Sequence, residues 1–249
     1  MSADTGTLLY TTTESPIGEL LLVGDGEALR GVHMQEGRRP VAVGESWIRA
    51  DDQFETARAQ LGEFFRGERT DFDLPLEPAG TAFQREVWAA LARIPYGETV
   101  SYAELARRIG RPGAARAVGA ANGSNPLCVV LPCHRVVGAD GSLTGYAGGV
   151  GRKRFLLALE SARRRDRPYV LIGRDGRPYE SRLPGALGGH RGNRVYSRLD
   201  CAGAERWIAK GHYVRQRVFF ADEATAVAAG YRPCARCMPE RYRAWKAAA

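Results

Sequence analysis

The chain has 249 residues, enough to bury a full core and to form two or three compact domains, and no run in it is long and apolar enough to cross a membrane. Its first ten residues carry neither a basic leader nor an apolar core, and its five cysteines are an odd number, which argues against an exported, disulfide-framed protein and for reduced thiols in the cytoplasm. The net charge of +8 is uneven: residues 1–80 hold 7 Lys/Arg against 15 Asp/Glu, residues 81–165 hold 13 against 5, and residues 166–249 hold 16 against 8. A chain acidic at one end and basic over the rest suits a polyanion, nucleic acid first.

Residues 7–33 read as a β-meander, with strands at 8–12, 20–23 and 28–33 separated by Pro16-Ile17-Gly18 and Gly24-Asp25-Gly26. His33, alone among apolar neighbours, reads as structural, and 37–43 as a loop. Residues 52–65 place Phe54, Ala57, Leu61 and Phe65 at helical spacing, a helix to cover one face of the sheet. Thr81-Ala82-Phe83-Gln84 has capping-box form and opens a helix with the stripe Phe83, Val87, Trp88 and Leu91, stopping before Pro95. Ser101-Tyr102-Ala103-Glu104 is a second capping box, opening a short helix that ends at Gly110; a small-residue helix over 113–121 follows. Two short helices about a glycine turn make a helix-turn-helix candidate. Its second helix is nearly bare, with Ala115, Ala117, Gly119 and Ala120 on its surface and Arg116 as the only long side chain. Such a surface suits close approach to a nucleic-acid groove with one arginine entering the stack, or tight packing on a neighbouring helix.

Residues 127–131 are continuously apolar and closed by Pro132, and they read as a buried strand that delivers Cys133 to a pocket edge. A thiol attacks only as thiolate, and a pKa near ~8.5 leaves ~3% ionised at pH 7, so the adjacent His134 has an evident use. Neighbours on one strand point to opposite faces, which makes a direct Cys133–His134 dyad awkward. Cys128 reads as a buried, inert thiol. Beyond it, Tyr146-Ala147-Gly148-Gly149 is a flexible aromatic loop suited to closing over a flat ligand. Arg152-Lys153-Arg154 opens a helix reaching Glu160, an acid that either pairs with Arg163, Arg164 and Arg165 or orients His134. Residues 166–185 look like a linker or a loose hairpin. After them, Cys201 and the Cys234-Ala235-Arg236-Cys237 knuckle form a zinc pattern, with His190 ahead of His212 as candidate fourth ligand.

Taken together, Pro132-Cys133-His134-Arg135-Val136-Val137, the 94–102 stretch Ile-Pro-Tyr-Gly-Glu-Thr-Val-Ser-Tyr, Ala114 to Gly119, Asn125-Pro126 and Gly145-Tyr146 resemble the O6-alkylguanine-DNA alkyltransferases in order and spacing. The resemblance implies that Cys133 accepts an alkyl group from guanine O6 and keeps it. It further implies that His134 draws the thiol proton through a water, oriented by Glu160, and that Asn125 ties the turn before Cys133 to the helix-turn-helix. Tyr102 would help extrude the nucleotide, Arg116 would fill the vacated stack, and Ala115 and Gly119 would line the minor groove of double-stranded DNA. Some relatives carry a hydroxyl where this chain has Ala147.

The 218–237 region resembles the metal-binding domain of Ada-type repair proteins, with Ser197 standing where that family has its methyl-accepting cysteine. Serine is a poor zinc ligand and a poor methyl acceptor, so a structural zinc module that adds basic DNA-binding surface is expected. The expected architecture is α/β (α+β): an N-terminal small sheet-plus-helix domain (1–80), a helix-turn-helix alkyltransferase domain (81–165), a linker (166–185) and a zinc module (186–249). The expected protein is a cytoplasmic monomer acting once per molecule, without a cofactor for the transfer. A non-catalytic alkylated-DNA binder or regulator is the alternative, and a cysteine hydrolase built on Cys133 is a third reading.

Overall fold

In the computed structural model, residues 7–36, 40–143, 146–162, 168–209, 212 and 216–248 are described. Contacts divide the chain into two units, Met1–Lys153 and Arg154–Ala249.

The first unit opens with the expected meander. Strands β1 (Leu9–Thr13), β2 (Leu20–Gly24) and β3 (Leu29–Met34) pair antiparallel, and β4 (Ile48–Arg49) adds parallel to β1, giving the order β3-β2-β1-β4. Every residue of β2 is buried, which is why it reads Leu-Leu-Leu-Val without alternation. A 3-10 turn, Asp51–Phe54, leads into α1 (Glu55–Phe65), whose buried Ala57, Leu61 and Phe65 carry the expected stripe. Buried Gln60 exchanges hydrogen bonds of 2.8 and 2.9 Å with the Asp73 backbone and ties down the chain leaving the helix.

Helix α2 (Ala82–Leu91) starts on the complete Thr81/Gln84 capping box and buries Val87, Trp88 and Leu91. Strand β5 (Val100–Ser101) hands over to α3 (Tyr102–Arg108), where the Ser101 hydroxyl accepts the Glu104 N–H and the Glu104 carboxylate pairs with Arg107 and Arg108. Gly110, at φ +70°, makes the left-handed turn toward α4 (Ala115–Gly123). The Trp88 indole donates to Ala121 O at 2.8 Å, locking α2 onto α4.

Residues 127–131 do not form the expected strand. Leu127 bridges to Val32 at the edge of β3, with Val32 N to Pro126 O at 2.8 Å and Cys128 N to Val32 O at 3.1 Å, and the chain then doubles back. Leu131 N reaches Leu127 O at 2.9 Å, and Val129 takes φ +73°, a left-handed conformation that β-branched residues rarely adopt. The apolar run reported burial correctly, since Leu127, Val129, Val130 and Leu131 are all buried. What shaped it into a loop was docking on β3 and the Asn125 side chain. A 3-10 turn, Cys133–Arg135, and β6 (Val136–Val137), parallel to β5, complete the segment. Helix α5 (Val150–Ala162) crosses the division between the units.

In the second unit, β7 (Tyr169–Ile172) and β8 (Pro178–Ser181) make an antiparallel hairpin. Next come β9 (Leu187–His190), β10 (Val195–Arg198), α6 (Ala202–Ala209), β11 (Arg217–Phe220), α7 (Glu223–Ala228), β12 (Arg232–Pro233) and α8 (Pro239–Ala248). The sheet order is β11-β9-β10-β12, with only the β10–β12 pair parallel. Its core is Ile172, Tyr196, Val218, Phe220, Ala226, Ala229 and Tyr231. Of the two readings of residues 166–185, linker or loose hairpin, the structure has the hairpin, and its Ile172 contributes to this core.

Candidate active site and metal centre

Cys133 begins the 3-10 turn, 3% exposed, and His134 beside it is fully buried. Burial alone would raise a thiol pKa, yet that of Cys133 is lowered from 9.0 to about 6. The largest cause is the neighbouring Cys128 thiol, followed by the charge of His134 and the nearby polar groups of Asn125 and Tyr146. Cys128 departs from the buried, inert thiol expected: it is half-buried, its pKa is pushed well up by the neighbouring Cys133 so that it stays protonated, and its Sγ donates to Asn125 O at 3.9 Å. Tyr146 is 8% exposed, and its hydroxyl faces the same sulfur without reaching full hydrogen-bond geometry among the described residues. Its loop, expected to be flexible, is packed: Gly148 lies so near Met34 Sδ that a Cβ there would come within 2.3 Å. Gly145, Thr144 and Arg163 to Arg165 lie outside the described residues.

Two asparagines shape the site. Asn125 Nδ2 donates to Leu131 O at 3.0 Å and Leu127 O at 3.4 Å, while its Oδ1 accepts Leu127 N–H at 3.0 Å, so it closes the loop before Cys133 upon itself. The tie from the helix pair to the thiol runs through Asn122 of α4, whose Nδ2 donates to Cys133 O at 3.3 Å. The sequence reading missed Asn122. Its signal was a polar side chain on the face of α4 that buries Val118 and Ala121. Arg135 pins the same turn from the other side, donating to Ile94 O at 2.5 Å and lying over the Tyr96 ring at 5.6 Å. Fully buried Lys153 was also missed; its Nζ donates to Val136 O, and burial lowers its pKa, opposed in smaller part by the Cys133 charge.

Tyr102, the first residue of α3, has its phenol pKa raised by burial and then by the Cys133 charge, so its ring lies within electrostatic reach of the sulfur. That ring leans on Gly119, 3.7 Å from where a Cβ would sit. Gly113, Arg116, Ala117, Ala120 and Gly123 form the exposed face of α4 and its approach, so the bare surface faces outward rather than packing on a neighbour. Ala115 is half-buried at its start. Glu160 is 1% exposed and belongs to the second unit.

In the second unit the thiols of Cys201, Cys234 and Cys237 lie within 4.8 Å of one another, with Cys201 Sγ and Cys234 Sγ 3.9 Å apart. The Cys201 pKa is lowered to about 5, chiefly by a hydrogen bond from Cys237 and also by the Ala204 and Gly203 amides at the start of α6. Three soft donors in one cradle, one of them already favoured as thiolate, fit zinc. Neither histidine expected as fourth ligand joins the cluster. His190 Nδ1 accepts the Asn193 N–H at 3.1 Å, and His212 packs edge-on against Trp207 at 5.4 Å. No other His, Asp or Glu joins it among the described residues.

Three family models match the chain in order. Residues 8–78 match the ribonuclease-like domain of 6-O-methylguanine DNA methyltransferase, residues 82–162 its DNA binding domain, and residues 186–240 the metal binding domain of Ada. A methylated-DNA–protein-cysteine methyltransferase of Methanosarcina acetivorans is 50% identical over 155 residues, covering 62% of this chain and 99% of the relative. The protein of that name from Mycobacterium bovis is 52% identical over 154 residues, covering 62% and 93%. The crystal structure of Mycobacterium tuberculosis OGT in complex with DNA superimposes with a TM-score of 0.59 at 52% identity, over 62% of this chain and 94% of that one. With about half of the aligned residues identical across nearly the whole length of such relatives, the chain belongs to the methylated-DNA–protein-cysteine methyltransferase family, and it carries an Ada-type metal-binding module after the shared region.

Proposed function

We propose that the protein repairs double-stranded DNA by moving an alkyl group from guanine O6 to Cys133 Sγ, once per molecule. The observation that carries this reading is a buried thiol held near pKa 6 beside a helix pair with a bare outer face. The Cys133 thiolate attacks the alkyl carbon, the C–O bond breaks, the guanine leaves with the electron pair and takes up a proton, and a thioether remains. Nothing among the described neighbours of Cys133 is a group that reverses a thioether, so each molecule is consumed. His134, with Glu160, supplies the proton path that the family resemblance implies, and Tyr102 supports the leaving guanine.

Magnitudes decide which effect dominates. Lowering the pKa from 9.0 to about 6 raises the thiolate fraction at pH 7 roughly ninetyfold, but the weaker nucleophile gives back about 15- to 30-fold, leaving a net gain of only ~3- to 6-fold. Holding an extruded base in line with the sulfur, where effective molarities reach ~10⁵ M or more, supplies the larger share. That is the work assigned to Tyr102, Arg116, Ala115 and Gly119 on the helix pair and to Tyr146 over the thiol.

We further assign residues 1–80 to an N-terminal domain, 81–165 to the alkyltransferase domain, 166–185 to the connecting hairpin and 186–249 to the zinc module. Zinc held by that module stabilises its small core and presents basic surface to DNA. No helix among the described residues is long and apolar enough to cross a membrane; a cytoplasmic location and a monomeric state are part of the proposal. Incubation with duplex DNA bearing O6-methylguanine, followed by peptide mass spectrometry, tests the reading. One methyl on the Cys133 peptide, absent in Cys133→Ala, is expected; DNA binding without any methyl transfer would move the protein to the lesion-binder class.

A further inference from the structure

Two of the three clustered thiols of the C-terminal module, those of Cys201 and Cys234, border a cavity of about 180 Å³. Cys201 and Cys234 stand on its wall with Ser197, and Arg217 and Arg236 complete a cationic side. Glycines make the opening. Around the point where a Gly203 Cβ would sit, Arg236 Nη1 lies at 3.4 Å and Cys201 Sγ at 3.7 Å, so the guanidinium passes close to the metal-binding sulfur. Over Gly188, Arg217 Nη2 lies 3.5 Å from the corresponding point. The space exceeds the ~30 Å³ share of one water several-fold, enough for a small ion.

Zinc closes its shell with four donors in a structural site and keeps a position open where the protein supplies three. The cluster supplies three. Ser197, 8% exposed on β10, offers only a neutral hydroxyl, and His190 turns its Nδ1 to the Asn193 amide. Charge points the same way. Three thiolates on a divalent ion leave one net negative charge, facing two guanidiniums; the nearby Arg154 and Glu205 offset each other as a pair at 3.6 Å. One further negative charge neutralises the site, and the planar guanidinium fork matches an oxyanion.

We propose that zinc here is held by Cys201, Cys234 and Cys237 alone, and that its fourth position opens into the cavity, where a phosphate-type oxyanion held by Arg217 and Arg236 exchanges with water. The module is then a ligand-binding zinc site rather than a closed structural one.

The test is the full-length protein loaded with one equivalent of cobalt(II), whose visible d–d bands report the ligand set, titrated with inorganic phosphate against a chloride control. The bands are expected to shift with a saturating dependence on phosphate. Combining Arg217→Gln with Arg236→Gln should weaken half-saturation about tenfold or more. Ser197→Cys should raise the thiolate charge-transfer absorbance by about one third, as three thiolates become four, and abolish the shift. If Ser197→Cys fails to fold, X-ray absorption of the wild-type zinc protein replaces it, with three sulfurs and one oxygen expected. An undamaged duplex that shifts the bands at lower phosphate concentration than the free ion identifies the DNA backbone as the source; a shift from the free ion alone identifies a soluble oxyanion. Bands that ignore both, bands altered by Ser197→Ala or His190→Gln without added anion, or an imidazole signature in the absorption spectrum would overturn the proposal.

Discussion

At the scale of single residues, the chemistry turns on a pair of thiols with opposite fates. Cys128 stays protonated and donates; Cys133 ionises. A group whose folded pKa is depressed contributes stability that is complete above its unfolded value and is lost as pH falls through its folded value, here from about 9 down to about 6. Transfer by the wild type should therefore be flat above pH 7 and fall about tenfold per unit below 6. Cys128→Ala should move that inflection upward while changing the rate at pH 9 only a few-fold, because a more basic thiolate is also the stronger nucleophile. An unmoved inflection in the pH profile would show that Cys128 does not tune the sulfur. Asn125 is the second sensitive position. Its three backbone hydrogen bonds are buried, so Asn125→Ala should cost about 2–4 kcal/mol, read as a lowered melting temperature.

At the scale of elements, α4 joins two tasks on two faces. Inward, Val118, Ala121 and Asn122 seat it against α2 and the Cys133 turn; outward, Arg116, Ala117 and Ala120 present almost no side chain. Ala120→Glu adds bulk and negative charge outside while leaving the core untouched. It should weaken DNA binding at least about tenfold with an unchanged melting temperature, checked by fluorescence anisotropy at fixed salt. Arg116→Ala should slow transfer from duplex DNA far more than transfer from a free alkylated base, because only the duplex has a vacated stack to fill. Equal slowing on both substrates would place Arg116 outside base extrusion.

At the scale of the whole molecule, two contact units carry separate chemistry, a thiol in Met1–Lys153 and a thiol cluster in Arg154–Ala249. The hydrophobic cluster of the C-terminal sheet comprises seven buried residues among those described, small enough that a metal contributes much of the module's stability. Removing zinc with a chelator, or substituting Cys234→Ser, should unfold the zinc module, residues 186–249, in far-UV circular dichroism and limited proteolysis, while α5 with Glu160 stays folded. Methyl transfer to Cys133 should persist. Retained protection of the zinc module after chelation would show that its core does not depend on the metal.

Local signals were legible in the sequence. Short apolar segments between proline and glycine turns marked the meander, helical stripes marked α1 and α2, and the Thr81 and Ser101 caps set the starts of α2 and α3 within a residue, because caps and periods act over three or four neighbours. The motif around Cys133 pointed to the proposed acceptor thiol and the cysteine knuckle to the cysteine cluster, since residue type and spacing carry that chemistry. The apolar run 127–131 could not announce its shape: burial selects Leu and Val whether the chain runs straight or doubles back, and docking on β3 with the Asn125 hydrogen bonds decided it. The same is true of the links that join distant residues. Cys128 as a donor, Asn122 as the tether, Ile172 as core and the placing of both histidines outside the cysteine cluster depend on which segments meet in space, and only the tertiary structure brings those segments together.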